Sequence, residues 1–153
     1  MLVTILIDAD GCPVVESTLR IARRHKIPVI LLCDTSHVFE RDGAQTITVS
    51  KGADSVDFRL VNLVHPGDLV VTQDYGLAAM CLARRARPIH QDGMLYTGEN
   101  IDALLLQRHM AQKIRRAGGR MRGPRKRSPQ QDAAFEQALE QLIGQGRKTG
   151  TEE

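Results

Sequence analysis

Short, continuous apolar runs recur along the first part of the chain, each followed by a stretch in which apolar residues return at helical spacing. Val3 to Ile7 is rich in β-branched residues, the pattern of a strand covered on both faces. Pro28 to Cys33, Thr46 to Val49, Leu69 to Thr72 and Pro88 to His90 predict further short strands. Between them, Val15, Leu19 and Ala22 share one helical face, with Pro13 at the first helical position, Cys12 at the cap, and His25 and Lys26 near the end, where cations suit the helix dipole. Asp54 opens a second helix with the stripe Val56, Leu60, Leu63 and Val64, and Pro66-Gly67 stops it. Leu77 to Ala86 is a third helix, rich in small residues, and Thr35 to Gly43 predicts a loop or short helix. Asn100 caps a long helix from Ile101 to Arg116, which ends at Gly118-Gly119. Ser128-Pro129-Gln130-Gln131 has the form of a capping box with proline at the first position, opening a last helix to about Ile143. Its Phe135, Leu139, Leu142 and Ile143 form one apolar face, which should dock on the body.

Strands alternating with helices predict an α/β domain with a mainly parallel sheet and helices on both faces. One domain is expected over 1–143, including a basic loop at 118–128 and the docking helix at 129–143, followed by a flexible tail over 144–153. The composition agrees: 153 residues, 42 % of them hydrophobic, suit one domain, and such a chain buries roughly 70 % of its unfolded surface. No apolar run approaches the ~20 residues of a membrane span. The opening MLVTILIDAD has no basic segment and two aspartates, so it is expected to be a strand rather than a signal peptide. Cys12, Cys33 and Cys81 are odd in number and show no CxxC spacing, which points away from disulfides and zinc and towards a reducing cytoplasm.

Charge changes the picture. The formal net charge is +3, yet nine of the 21 Lys and Arg residues fall between Arg108 and Arg127, and no acid lies between Asp102 and Asp132. The chain is an acidic body with a basic band, and such bands commonly meet phosphates. Aromatic residues make up 3 %, too few for a base-stacking platform.

The acids are placed informatively. In open α/β sheets ligands sit outside the carboxyl ends of the strands. Asp8 and Asp10 follow the first strand, Asp74 follows the fourth, and Asp54 and Asp57 stand about one turn apart at a helix start. If strands one and four are neighbours, these carboxylates converge, repel and raise one another's pKa. Mg²⁺ or Mn²⁺ relieves that repulsion, prefers oxygen ligands and polarises phosphoryl groups. Helix capping competes as the role of Asp10, Asp54 and Asp74. Asp8 is hardest to explain without a ligand, because it lies at the mouth of a buried strand.

Two resemblances bear on these residues. ILIDADGC resembles the first motif of haloacid-dehalogenase-type phosphatases, which implies Asp8 as nucleophile and Asp10 as general acid, with Thr35 or Ser36 and Lys51 as further motif residues. That family's last motif carries two acids after a strand. Here Gly67-Asp68 precedes the strand and only Asp74 follows it, and Cys12-Pro13 replaces the usual threonine. The second resemblance covers more of the chain. ILIDADGCPV, KGADSVDFRLV, GDLVVTQDYGLA and GGRMRGPRKRSPQQDAAFEQAL resemble the YaiI/YqxD family of uncharacterised bacterial proteins, which is similar in fold to PIN and NYN nuclease domains. It implies a three-layer α/β/α sandwich around a parallel sheet. It places the PIN acids on Asp8, on Asp57 with Asp54 one turn earlier, and on Asp74 within Thr72-Gln73-Asp74, with Asp10 beside the first. The pattern's mid-chain acid has no assigned counterpart.

The expectation is a nuclease, a phosphodiesterase acting on RNA or single-stranded nucleic acid. Asp8, Asp57 and Asp74 would hold Mg²⁺ or Mn²⁺, and Asp10 and Asp54 would complete the shell or orient water. Arg115, Arg116, Arg120, Arg122, Arg125, Lys126 and Arg127 would meet backbone phosphates. A non-catalytic RNA-binding module is the main alternative, and a homo-oligomer is compatible with either.

Overall fold

The computed structural model describes residues 3–34, 40–50, 52, 55–119 and 126–151, with backbone only over 147–151. The elements run β1 (Ile5–Asp8), α1 (Val15–His25), β2 (Val29–Asp34), β3 (Ala44–Val49), α2 (Ser55–Leu63), β4 (Leu69–Val71), α3 (Tyr75–Ala83), β5 (Arg87–Ile89), α4 (Ile101–Arg116) and α5 (Pro129–Thr151). All strand pairs of the sheet are parallel, in the order β3-β2-β1-β4-β5. Ile5 lies beside Val29 and Leu69, and Ile7 beside Leu31 and Val71. The chain therefore builds outward from β1 to β3, then returns to the other side of β1. The order reverses between β1 and β4, which is where a sheet of this kind opens a crevice.

Alternation along β1 explains the layers. Ile5 and Ile7 point to one face and pack with Val15, Leu19 and Ala22 of α1 and Phe135, Leu139, Leu142 and Ile143 of α5. Leu6 points to the other, with Leu60 of α2 and Leu77 and Cys81 of α3. The fold is a three-layer α/β/α sandwich, as expected. Outside it, α4 packs on α3 through Ile101, Leu104 and Leu105 against Ala78, Ala79 and Leu82. Phe135 is among the largest fully buried side chains, so the C-terminal helix belongs to the core. Arg24 and His25 pair with Glu140 across the outer edges of α1 and α5.

Several boundaries differ from the periodicity. The chain turns at Ala9–Cys12 and helix α1 begins at Val15 rather than Pro13, with no side-chain cap. Asn100 stands at the N-cap of α4, as expected, but its side chain makes no cap hydrogen bond to the helix. The Asn100 amide donates to Thr97 Oγ1 and its Oδ1 accepts from the Thr97 amide, so Thr97 starts a reciprocal box one turn earlier. The C-terminus of α4 closes with Gly118 N–H to Arg115 O and Gly119 N–H to Ile114 O, a Schellman pattern. At the start of α5, Gln131 Oε1 accepts from the Ser128 amide as the capping box requires. The helix then continues to Thr151, beyond the expected end at about Ile143.

Candidate functional site

Asp8 is the last residue of β1, and Thr72 follows the end of β4 beside it. The Thr72 hydroxyl donates to Asp8 Oδ2 at 2.9 Å and accepts from the Asp74 amide at 3.0 Å. Tyr96 holds the same residue from below, its hydroxyl donating to the Thr72 carbonyl at 3.0 Å. Thr72 is 2 % exposed, so the Asp8 carboxylate is steered by a fixed hydroxyl rather than a mobile one.

The environment of Asp8 is hostile to its charge. Burial, first, and the neighbouring charges of Asp74 and Asp10 push its pKa up to about 6, against the pull of the Thr72 hydrogen bond. Asp10 Oδ2 accepts from the Asp34 amide at 3.0 Å, so it ties the β1–α1 loop to the end of β2 instead of capping α1. Asp74 does cap α3: its Oδ1 accepts from the amides of Gly76 at 2.8 Å and Leu77 at 3.1 Å. The same oxygen also accepts from Arg108 Nη1 on α4, at 3.1 Å.

Above these groups lies an open cleft of about 580 Å³, lined by Asp8, Gln73, Asp74, Tyr75, Gln107 and Arg108 among others. A narrower recess behind Asp8 reaches Asp10, Cys12 and Gln91. Tyr75, which lines the cleft, His90 and Tyr96 pack in tilted and edge-to-face contacts with ring centroids 6.0 to 6.4 Å apart. Burial lowers the His90 pKa, and its Nδ1 accepts from the Asp92 amide. Burial drives the Cys12 thiol up to about 11, which removes it as a nucleophile.

Asp57 stands in the first turn of α2. Its charge, with that of Asp8, adds to the burial that pushes the Cys81 thiol up to about 12, so its field reaches the α3 side of the same region. Among the described residues, however, no group of three or more His, Cys, Asp or Glu is arranged to hold a metal, and Asp8, Asp57 and Asp74 do not form such a triad. Asp8 and Asp74, linked through Thr72, still fit a magnesium-type ion held by one or two carboxylates and completed by water and phosphate. Asp54, Arg120, Arg122 and Arg125 lie outside the described residues, as do Thr35, Ser36 and Lys51. Asp68 is buried at the opposite, N-terminal end of the strands, accepting from the amides of Thr4 and His65.

The basic band divides. Arg115, Arg116 and Lys126 are exposed. Arg127 is committed to structure: it donates to Asp132 Oδ1 at 2.8 Å, Asp92 Oδ1 at 2.7 Å and the Gln91 carbonyl at 2.7 Å. The ends of the band, Arg108 and Arg127, are thus both anchored at the strand-end edge where Asp8 lies. Arg108 was not singled out in the sequence as a contact residue. Its partner is 34 positions away, and no local pattern announces such a pairing.

A parallel sandwich with a carboxylate crevice at its switch point is the class this chain falls into. The sequence model of the uncharacterised YaiI/YqxD family matches residues 6–145, and the chain belongs to that family. It is 58 % identical over 139 residues to a UPF0178 protein of Exiguobacterium sibiricum, covering 91 % of this chain and 95 % of the relative. It is 51 % identical over 145 residues to one of Clostridium acetobutylicum, covering 94 % and 98 %. No solved structure matches the chain.

Proposed function

We propose that the protein is a metal-dependent phosphodiesterase acting on RNA or single-stranded nucleic acid. The observation that carries this reading is Asp8, a carboxylate placed at the switch point, fixed by Thr72 and crowded by Asp74 and Asp10, facing an open cleft that also presents an arginine. A carboxylate whose pKa is raised by burial first, and further by two neighbouring acids, is one that a divalent cation stabilises. When bound, Mg²⁺ or Mn²⁺ would polarise the phosphoryl group and supply hydroxide. Asp8 and Asp74 would provide the oxygens that hold it, with Thr72 orienting Asp8. Asp10, fixed by the Asp34 amide, would orient the attacking water. Asp57 extends the acidic field from the first turn of α2, and Asp54 would complete the shell or orient water. Exposed Arg115, Arg116 and Lys126, with Arg120, Arg122 and Arg125, would neutralise the backbone of the strand. The setting is a reducing cytoplasm, which suits three free cysteines. Among the described residues no helix is long and apolar enough to cross a membrane.

A second reading, a non-catalytic RNA-binding module, is favoured by the lack of a three-donor metal group among the described residues. Calorimetric titration with Mn²⁺ separates the two. The enzyme reading expects stoichiometric binding that Asp8→Asn removes; no binding to the wild-type protein would leave only the module.

A further inference from the structure

Asp74 Oδ1 accepts three donors, and two of them, the Gly76 and Leu77 amides, already satisfy the cap of α3. Arg108 is the third, and the fold does not need it there. The Arg108 side chain is 46 % exposed, and an ion pair this open contributes little to stability. Its guanidinium nevertheless lines the cleft together with Asp8, Gln73 and Gln107, carried on a helix whose first turns are packed against α3. Guanidinium binds phosphate oxygens in a bidentate fork, which outlasts a single contact to a carboxylate already shared with two amides.

We propose that Arg108 is the phosphate-binding residue of the cleft, held by Asp74 until a divalent cation engages that carboxylate. This rests on the metal-dependent reading above. Arg108 then exchanges Asp74 for a backbone phosphate, so one carboxylate couples cation binding to substrate binding. The helix also suggests what kind of phosphate. Arg115 follows Arg108 by seven residues, on the same side of α4, with Ala111 of the cleft wall between them. Two guanidinium-bearing positions about 10 Å apart along a helix axis serve successive phosphates of a strand better than a lone phosphomonoester.

The test uses a labelled single-stranded oligonucleotide, with anisotropy read in EDTA and in Mn²⁺, and Mn²⁺ titration by calorimetry. In Mn²⁺, Arg108→Ala should bind the oligonucleotide about tenfold more weakly than wild type. In EDTA the two should bind alike, because Arg108 is then paired with Asp74. Mn²⁺ should bind Arg108→Ala at least as tightly as wild type, and Arg108→Lys should recover part of the oligonucleotide affinity. Equal oligonucleotide affinities in Mn²⁺, or weakened Mn²⁺ binding by Arg108→Ala, would overturn the role of Arg108 alone. A wild-type protein that binds no Mn²⁺ would overturn the metal-dependent reading and this inference with it.

Discussion

At the scale of residues, Asp8 has a folded-state pKa of about 6 against the ordinary 3.8, so the native protein holds a proton that the unfolded chain has released between those values. Stability from this group is therefore full below about pH 4 and falls as pH rises through 6. A shift of this size corresponds to about 3 kcal/mol at neutral pH. Asp8→Asn removes the titration and keeps an acceptor for Thr72. In metal-free buffer its stability advantage over wild type, read from urea unfolding, should be small at pH 4 and grow through pH 7. An advantage that stayed constant with pH would contradict the electrostatic account of the site. Asp8 and Asp74 were legible in the sequence, because both follow buried strands and the crevice rule says where such residues point. The Arg108–Asp74 pair was not, nor was the commitment of Arg127 to Asp92 and Asp132, because side-chain pairing across the fold leaves no periodic trace.

At the scale of elements, strand and helix identities followed from apolar spacing, while their ends depended on contacts that spacing does not encode. Helix α5 runs past its expected end, and Arg87 lies along it: Nη1 donates to the Leu142 carbonyl at 2.9 Å, and a Cβ at Gly146 would lie 2.6 Å from Nη2. Gly146 leaves room for the Arg87 guanidinium. Gly93 is constrained twice, by a φ of +94° and by the backbone of Ala134, whose carbonyl oxygen a Cβ would approach to 2.7 Å. Gly93→Ala should cost more than 1 kcal/mol by thermal unfolding, because neither the turn nor α5 can yield. Phe135→Ala, which empties a fully buried site, should cost about 3–5 kcal/mol. A mild effect at Phe135 would mean that α5 is not part of the core.

At the scale of the whole molecule, the net charge of +3 is the near-cancellation of an acidic crevice and a basic band. The sequence separated the two features, but not the side of the sheet on which each lies. Arg108 and Arg127, the ends of the band, both lie at the strand-end side of the sheet where Asp8 stands. The band is not uniform. Arg127→Ala should lower stability by about 2 kcal/mol through lost charged hydrogen bonds. Lys126→Ala should leave the melting temperature unchanged, weaken RNA binding, and lessen its salt dependence by about one phosphate contact. A weaker salt slope for Arg127→Ala with unchanged stability would reverse this division of roles.

In the proposed function Asp8 anchors metal-dependent cleavage. The most direct measurement is hydrolysis of a single-stranded RNA by wild-type protein and by Asp8→Asn, purified identically, with Mn²⁺ and with EDTA. Cleavage by wild type in Mn²⁺ alone, abolished in a folded Asp8→Asn, is the predicted result. Equal cleavage by the two proteins, or none by a wild type that binds Mn²⁺, would contradict it.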